Sequence, residues 1–118
     1  MSRGRTSRGT PVEVDAETEG MDAFLAVSDV KHHYFAGYSN PVKSFLPGLC
    51  SFETARANHS LALDPGAAFG HHPWHPEAAR QDNPLAEDLV EGMQLILGER
   101  PAYAVATVTR ARPPPAWL

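Results

Sequence analysis

At 118 residues, with 42% hydrophobic and 20% charged side chains, the chain is sized and composed for one small globular domain. A formal charge of −4 disfavours general binding to nucleic acid, which needs a basic surface to displace counterions. The single cysteine, Cys50, excludes an intrachain disulfide, and no apolar run approaches the roughly eighteen residues of a membrane-spanning helix.

In chain order, residues 1–20 read as a disordered tail. Arg3, Arg5 and Arg8 sit among Gly, Ser and Thr, acidic Glu13, Asp15, Glu17 and Glu19 follow, and few large apolar groups are present to offset the entropy of ordering. No hydrophobic segment follows the basic start, so a secretory signal is not expected and the cytoplasm is the default compartment. The folded unit is expected over 21–110. Its first element reads as a helix over 21–35, because Phe24, Val27, Val30 and Tyr34 recur at three- and four-residue spacing. A strand is the alternative for Val30 to Tyr38, on its β-branched and aromatic content. The segment "SFETARANHSLAL" predicts a second helix, with Ser51 as its N-cap and Glu53 at its positive end.

From Ala67 to Asn83 the chain has no period and is broken by Pro and Gly, which predicts a long irregular connection of the kind that carries function. "NPLAEDLVEGMQLILG" is the clearest helix: Asn83 caps it, Pro84 occupies the first helical position, and Gly98 stops it. Leu85, Leu89, Val90, Met93, Ile96 and Leu97 share a face, and Gly92 costs about 1 kcal/mol against Ala unless close packing requires it. "AYAVATVTR" then alternates as a strand, and residues 111–118 form a Pro-rich tail. The expected fold class is α+β: a small single domain with two or three short helices, a C-terminal strand and long Pro/Gly-rich loops. One strand cannot stand alone, so a second strand within 27–46, a partner or a second copy must complete the sheet.

Candidate chemistry concentrates in "FGHHPWHPE". His71 and His75 are four apart, but Pro73 and Pro76 forbid the regular helix that would place both imidazoles on one face. As a loop, His71, His72, His75 and Glu77 could still ligate a divalent transition metal such as zinc, with Asp82, Cys50 or His59 brought in from elsewhere. His32 and His33 are adjacent and point apart, so at most one can join a common site. Cys50 precedes a helix N-terminus, a position that favours the thiolate, yet His59 lies more than two turns away and cannot serve as its base. Buried packing is the expectation for that thiol. Trp74, Trp117 and Leu118 are candidate partner-binding groups, being large apolar side chains on a loop and a tail. No phosphate-binding glycine loop or nucleophile elbow is present, and no catalytic residue is assigned.

The stretch "PLAEDLVEGMQLILGERPAYAVATVTRARPPP", residues 84–114, resembles the N-terminal helix–strand unit of the xanthine dehydrogenase accessory (XdhC/CoxI) family. Leu85, Leu89, Gly98, Arg100, Ala104 to Val108 and Arg110 carry the resemblance. It implies kinship with proteins that assist insertion of molybdenum cofactor, although the family's later cofactor region has no counterpart and no cofactor-binding residue is carried over. The sequence therefore suggests a small non-catalytic accessory or interaction protein, completing its sheet with a protein partner or in a homo-oligomer, without membrane or nucleic-acid binding. The alternatives are a metal-binding protein using loop 71–77 and a remnant of a molybdenum-cofactor accessory protein.

Overall fold

The computed structural model describes residues 1–109. Nine elements follow in order: β1 (Ser2–Arg5), β2 (Pro11–Glu13), β3 (Phe24–Asp29), β4 (Lys31–His33), β5 (Gly37–Ser39), α1 (Val42–Phe45), α2 (Phe52–Ser60), α3 (Pro84–Leu97) and β6 (Ala102–Thr107). The fold class is α+β, as expected. The strands form three separate pairs: β1 with β2 and β4 with β5, both antiparallel, and β3 with β6, parallel.

The expected disordered tail is instead ordered. Residues 1–14 fold back as a hairpin whose Val12 and Val14 are 0% and 4% exposed and enter the core. Large apolar groups are few here, but three threonines substitute for them. Thr6, Thr10 and Thr18 are buried with their hydroxyls bonded, so methyl and backbone surface leaves water without an unmet polar cost. Thr6 and Thr10 donate to the two carboxylate oxygens of Asp88 on α3, Thr10 at 2.8 Å. Asn58 of α2 donates to the same carboxylate at 2.8 Å. Asp88, fully buried, thus joins the hairpin, α2 and α3.

The helix expected over 21–35 is also replaced, by β3 and β4. Phe24 and Ala26 are buried while Leu25 and Val27 are exposed, which is a period of two. With apolar residues on both faces, that alternation imitates helical spacing in sequence, and the β-branched content was the better guide. β3 is the second strand the C-terminal strand requires, but it begins at Phe24, ahead of the expected 27–46, while the strands wholly inside that range, β4 and β5, pair with each other. Its register with β6 runs from Phe24 opposite Ala102 to Asp29 opposite Thr107.

α2 and α3 form where their caps predict. The Ser51 hydroxyl accepts from the Thr54 N–H at 3.2 Å, and Asn83 Oδ1 accepts from the Ala86 N–H at 3.0 Å. Each such cap contributes about 1 kcal/mol. Leu85, Leu89 and Ile96 of α3 pack on Val12, Val42, Phe45 and Leu46. Arg100 closes the far end of α3: its guanidinium donates to the carbonyls of Ile96, Leu97, Thr18 and Met21 and lies 4.8 Å from the Phe24 ring centre. Side chains that cap, clamp and stack at once lose little entropy per bond made.

Gly92 is where α3 comes closest to its neighbours. A Cβ there would lie 2.2 Å from Cδ1 of the fully buried Leu46, which would have to shift. Replacement by Ala gains helix propensity of about 1 kcal/mol but overpacks the core by about 1–3 kcal/mol. Gly92→Ala is expected to lower the thermal midpoint by about 5 °C, read by circular dichroism; a rise would show that Leu46 repacks freely.

Candidate functional site

A cleft of about 480 Å³ lies beside the His-rich loop, lined by Val30, Tyr38, Asn40, Pro41, His72, Trp74, His75 and Pro76. Val30 directly follows β3, and a neighbouring depression adds Val108 and Thr109, which directly follow β6. Both openings therefore sit at the carboxyl ends of the parallel strands, the usual place for ligands in parallel sheets.

Two backbone contacts and one side-chain amide hold the loop there. Gly37, at φ +76°, lies so close to the loop that a Cβ would be 1.7 Å from the His71 carbonyl oxygen. Its own carbonyl accepts from the Gly70 N–H at 3.2 Å. Asn83 Nδ2 donates to the carbonyls of Phe35 at 2.9 Å and His71 at 3.0 Å, while its Oδ1 caps α3. One buried amide thus fixes the β4–β5 turn, the His loop and the start of α3 together.

The histidines are spread over this frame in different roles. His72 is buried. The Trp74 N–H donates to its Nδ1 at 3.1 Å, and Asn40 Nδ2 lies 3.2 Å from its Nε2, with Asn40 Oδ1 already taken by the Val42 N–H. Nδ1 is thus the acceptor nitrogen of a neutral ring, and a proton added there would cost the bond from the Trp74 N–H. Burial pushes the His72 pKa down, and the nearby His75 adds to the effect. His75 accepts the Glu77 N–H at Nδ1, which leaves its proton on Nε2, and its ring stacks on Tyr38 at 6.2 Å. His32 stacks between Tyr38 and Phe69, at 5.0 and 4.4 Å. His71 turns to the exposed Asp82, Nδ1 to Oδ1 at 3.0 Å. His33 accepts from Lys43 Nζ at 3.0 Å; burial first, then the charges of Lys43, His59 and Lys31, lower its pKa. His59 donates Nδ1–H to the Ala55 carbonyl and meets the Phe35 ring edge-on.

Of the residues singled out in the loop, His72, Trp74 and His75 therefore share the cleft, whereas His71 points to Asp82 and Glu77 pairs with Arg80. Among the described residues no three His, Cys, Asp or Glu side chains converge as metal donors. Trp74 is 61% exposed on the cleft rim; Trp117 and Leu118 lie outside the described residues. The Cys50 thiol donates to the Phe45 carbonyl at 3.4 Å, and burial pushes its pKa to about 11, so it is a packing group and not a nucleophile. Tyr38 and Asn40 were not singled out in the sequence. Their signal was position: Tyr38 just after a turn glycine, at the end of the stretch for which a strand was the alternative, and Asn40 in the turn before Pro41.

A family model described as the lactate racemase N-terminal domain matches residues 1–70, more than half of the chain. The chain belongs to that family. The lactate racemase of Thermoanaerobacterium thermosaccharolyticum is 28% identical over 87 residues, covering 74% of this chain and 19% of that protein. The lactate racemase of Lactiplantibacillus plantarum is 44% identical over 39 residues, covering 33% of this chain and 9% of that protein. The solved apoprotein of the Thermoanaerobacterium lactate racemase superposes with a TM-score of 0.78 at 24% identity, over 92% of this chain and 24% of that one, so the fold is shared. The chain spans about a fifth or less of the length of the curated relatives it matches.

Membership in the lactate racemase N-terminal domain family corrects four expectations. The XdhC/CoxI resemblance of residues 84–114 is overturned: helix α3, the Gly98 turn and strand β6 are built as expected, but a helix leading through a glycine into a parallel strand recurs across many folds. The non-catalytic accessory or interaction protein gives way to homology with a named enzyme, and so do the His-loop metal-binding protein and the molybdenum-cofactor remnant. None of the described helices is long and apolar enough to cross a membrane.

Two expected outcomes test the site. Because burial makes the folded His72 take up a proton less readily than the unfolded chain does near the ordinary histidine pKa, its contribution is fully present above that value and is lost as pH falls below it. The urea midpoint should therefore drop between about pH 7 and about pH 5, and drop less in His72→Phe; an equal drop would remove His72 from the cause. For Cys50, alkylation at about pH 8 should be slow in the native chain and at least about tenfold faster in denaturant. Equal rates would contradict its burial.

Proposed function

We propose that this chain supplies the N-terminal portion of a lactate racemase-type enzyme, one that interconverts the stereoisomers of lactate or a closely related 2-hydroxy acid. The observation that supports this most is the family match over residues 1–70, together with a fold shared over 92% of the chain. The cleft at the carboxyl ends of β3 and β6 would form one wall of the substrate site. Racemisation breaks the bond to hydrogen on one face of the stereocentre and remakes it on the other, so the substrate must be held without tumbling. On this wall Tyr38, His75 and the Trp74 indole would offer O–H and N–H donors to a hydroxy acid, against an apolar floor of Val30 and Pro41. His72, neutral and held between Asn40 and the Trp74 backbone, would position that wall and not exchange protons itself.

A transition metal in the assembled enzyme is compatible with this chain only if most of its ligands come from outside the described residues, since no three donors converge within them. No step is assigned to it. A cytoplasmic setting belongs to the same proposal and suits a chain whose single thiol is half-buried and free.

The test is a chimera in which residues 1–109 replace the matching segment of the Thermoanaerobacterium lactate racemase. Incubation with L-lactate should yield D-lactate, followed by a chiral assay, while Tyr38→Phe and His75→Ala together reduce the rate by at least about tenfold. A folded, fully loaded chimera with no racemisation would refute the proposed function.

A further inference from the structure

β3 and β6 form a parallel pair whose outer face is apolar and, among the described residues, bare. Leu25 and Val27 are 66% and 65% exposed, and their register partners Tyr103 and Val105 are 65% and 50% exposed. Every residue of β6 is exposed, and its sequence AYAVAT carries no charge, proline or glycine to protect an edge. On the inner side of the pair a second apolar gap of about 310 Å³ remains between Ala102 and Ala104 and the side chains of Val42, Phe45, Met93 and Leu97. Parallel strands are found almost only where both faces are covered, and two strands do not make an independent sheet. β6 is thus built as an interior strand that the described residues leave at the surface.

We propose that the outer face and free edge of β6 are the docking surface for the remaining polypeptide of a lactate racemase body, which adds a strand beside β6 and a helical layer over Leu25, Val27, Tyr103 and Val105. The occupant follows from the comparison: the relative whose fold matches carries these strands within a chain about four times longer than the matched part. A further parallel strand requires a crossover of its own, normally helical, and that helix would cover this face. The identity of the partner rests on the proposed function; the existence of the docking surface rests on the exposed ribbon.

Hydrogen exchange of the Tyr103–Thr107 amides decides it, in the isolated chain and in the chimera described above. In the isolated chain these amides should exchange with little protection, and in the folded chimera at least about 100-fold more slowly. Val27→Asp with Val105→Asp should leave the hairpin and α3 amides of the isolated chain unchanged but abolish the added protection in the chimera. Equal exchange in both proteins would overturn the proposal, as would strong protection in an isolated monomer. So would a concentration-dependent dimer of the isolated chain that shields the same amides, since the occupant would then be a second copy. Should the chimera not fold, the behaviour of the isolated chain alone decides between these results. Protection without racemisation keeps the docking surface and removes the enzymatic role; racemisation without protection does the reverse.

Discussion

A fully buried carboxylate, Asp88, holds three segments that are distant in the chain. Its two oxygens accept from Thr6, Thr10 and Asn58, so the N-terminal hairpin, α2 and α3 meet at one group. Burying an ionised group without partners is prohibitive, and with several donors in place it becomes a specification of which segments must come together. The hairpin has only Val12 and Val14 to offer the core; its threonines earn their burial through this carboxylate. The placement of α3 that results sets where β6 emerges and where Asn83 begins the helix.

From that point the cleft is assembled by backbone more than by side-chain packing. Gly37 lets the β4–β5 turn approach the His71 carbonyl at a distance no side chain allows. Asn83 ties the same loop to the helix start. On this frame His32, Tyr38, His75, His72 and Trp74 form a continuous ring-to-ring contact, and His72 alone of these is buried among donors. The concentration of imidazoles in the sequence thus becomes an aromatic wall. Imidazole can stack on aromatic rings as well as ligate metal, and spacing alone does not separate the two uses.

Legibility in the sequence followed the range of the interactions. Caps and stops are local, so Ser51, Asn83, Pro84 and Gly98 placed α2 and α3 correctly. The reservation over Gly92 was also local, and Leu46 supplies the close contact that explains it. What failed was non-local. β3 carries apolar residues on both faces because it belongs to a parallel pair, and its partner is some eighty residues away. The hairpin at 1–14 depends on a carboxylate equally remote. Asp88 did leave one trace: it falls between Leu85 and Leu89 and one turn before Gly92, on the buried face of its helix, where a carboxylate has no place unless donors await it. In the loop, the sequence identified His72, Trp74 and His75 as candidates without the tautomer or the neighbours that distinguish them, because Asn40 and Tyr38 arrive from another strand.

The amide of Asn83 has a further consequence. The same side chain starts α3 and grips both sides of the cleft, so loosening the His loop would uncap the helix, and fraying the helix would release the loop. The two events share one opening equilibrium instead of two, set nearer to that of the core than to that of a surface loop. The base of the His-rich loop at His71 therefore opens together with the start of α3 and not independently of it.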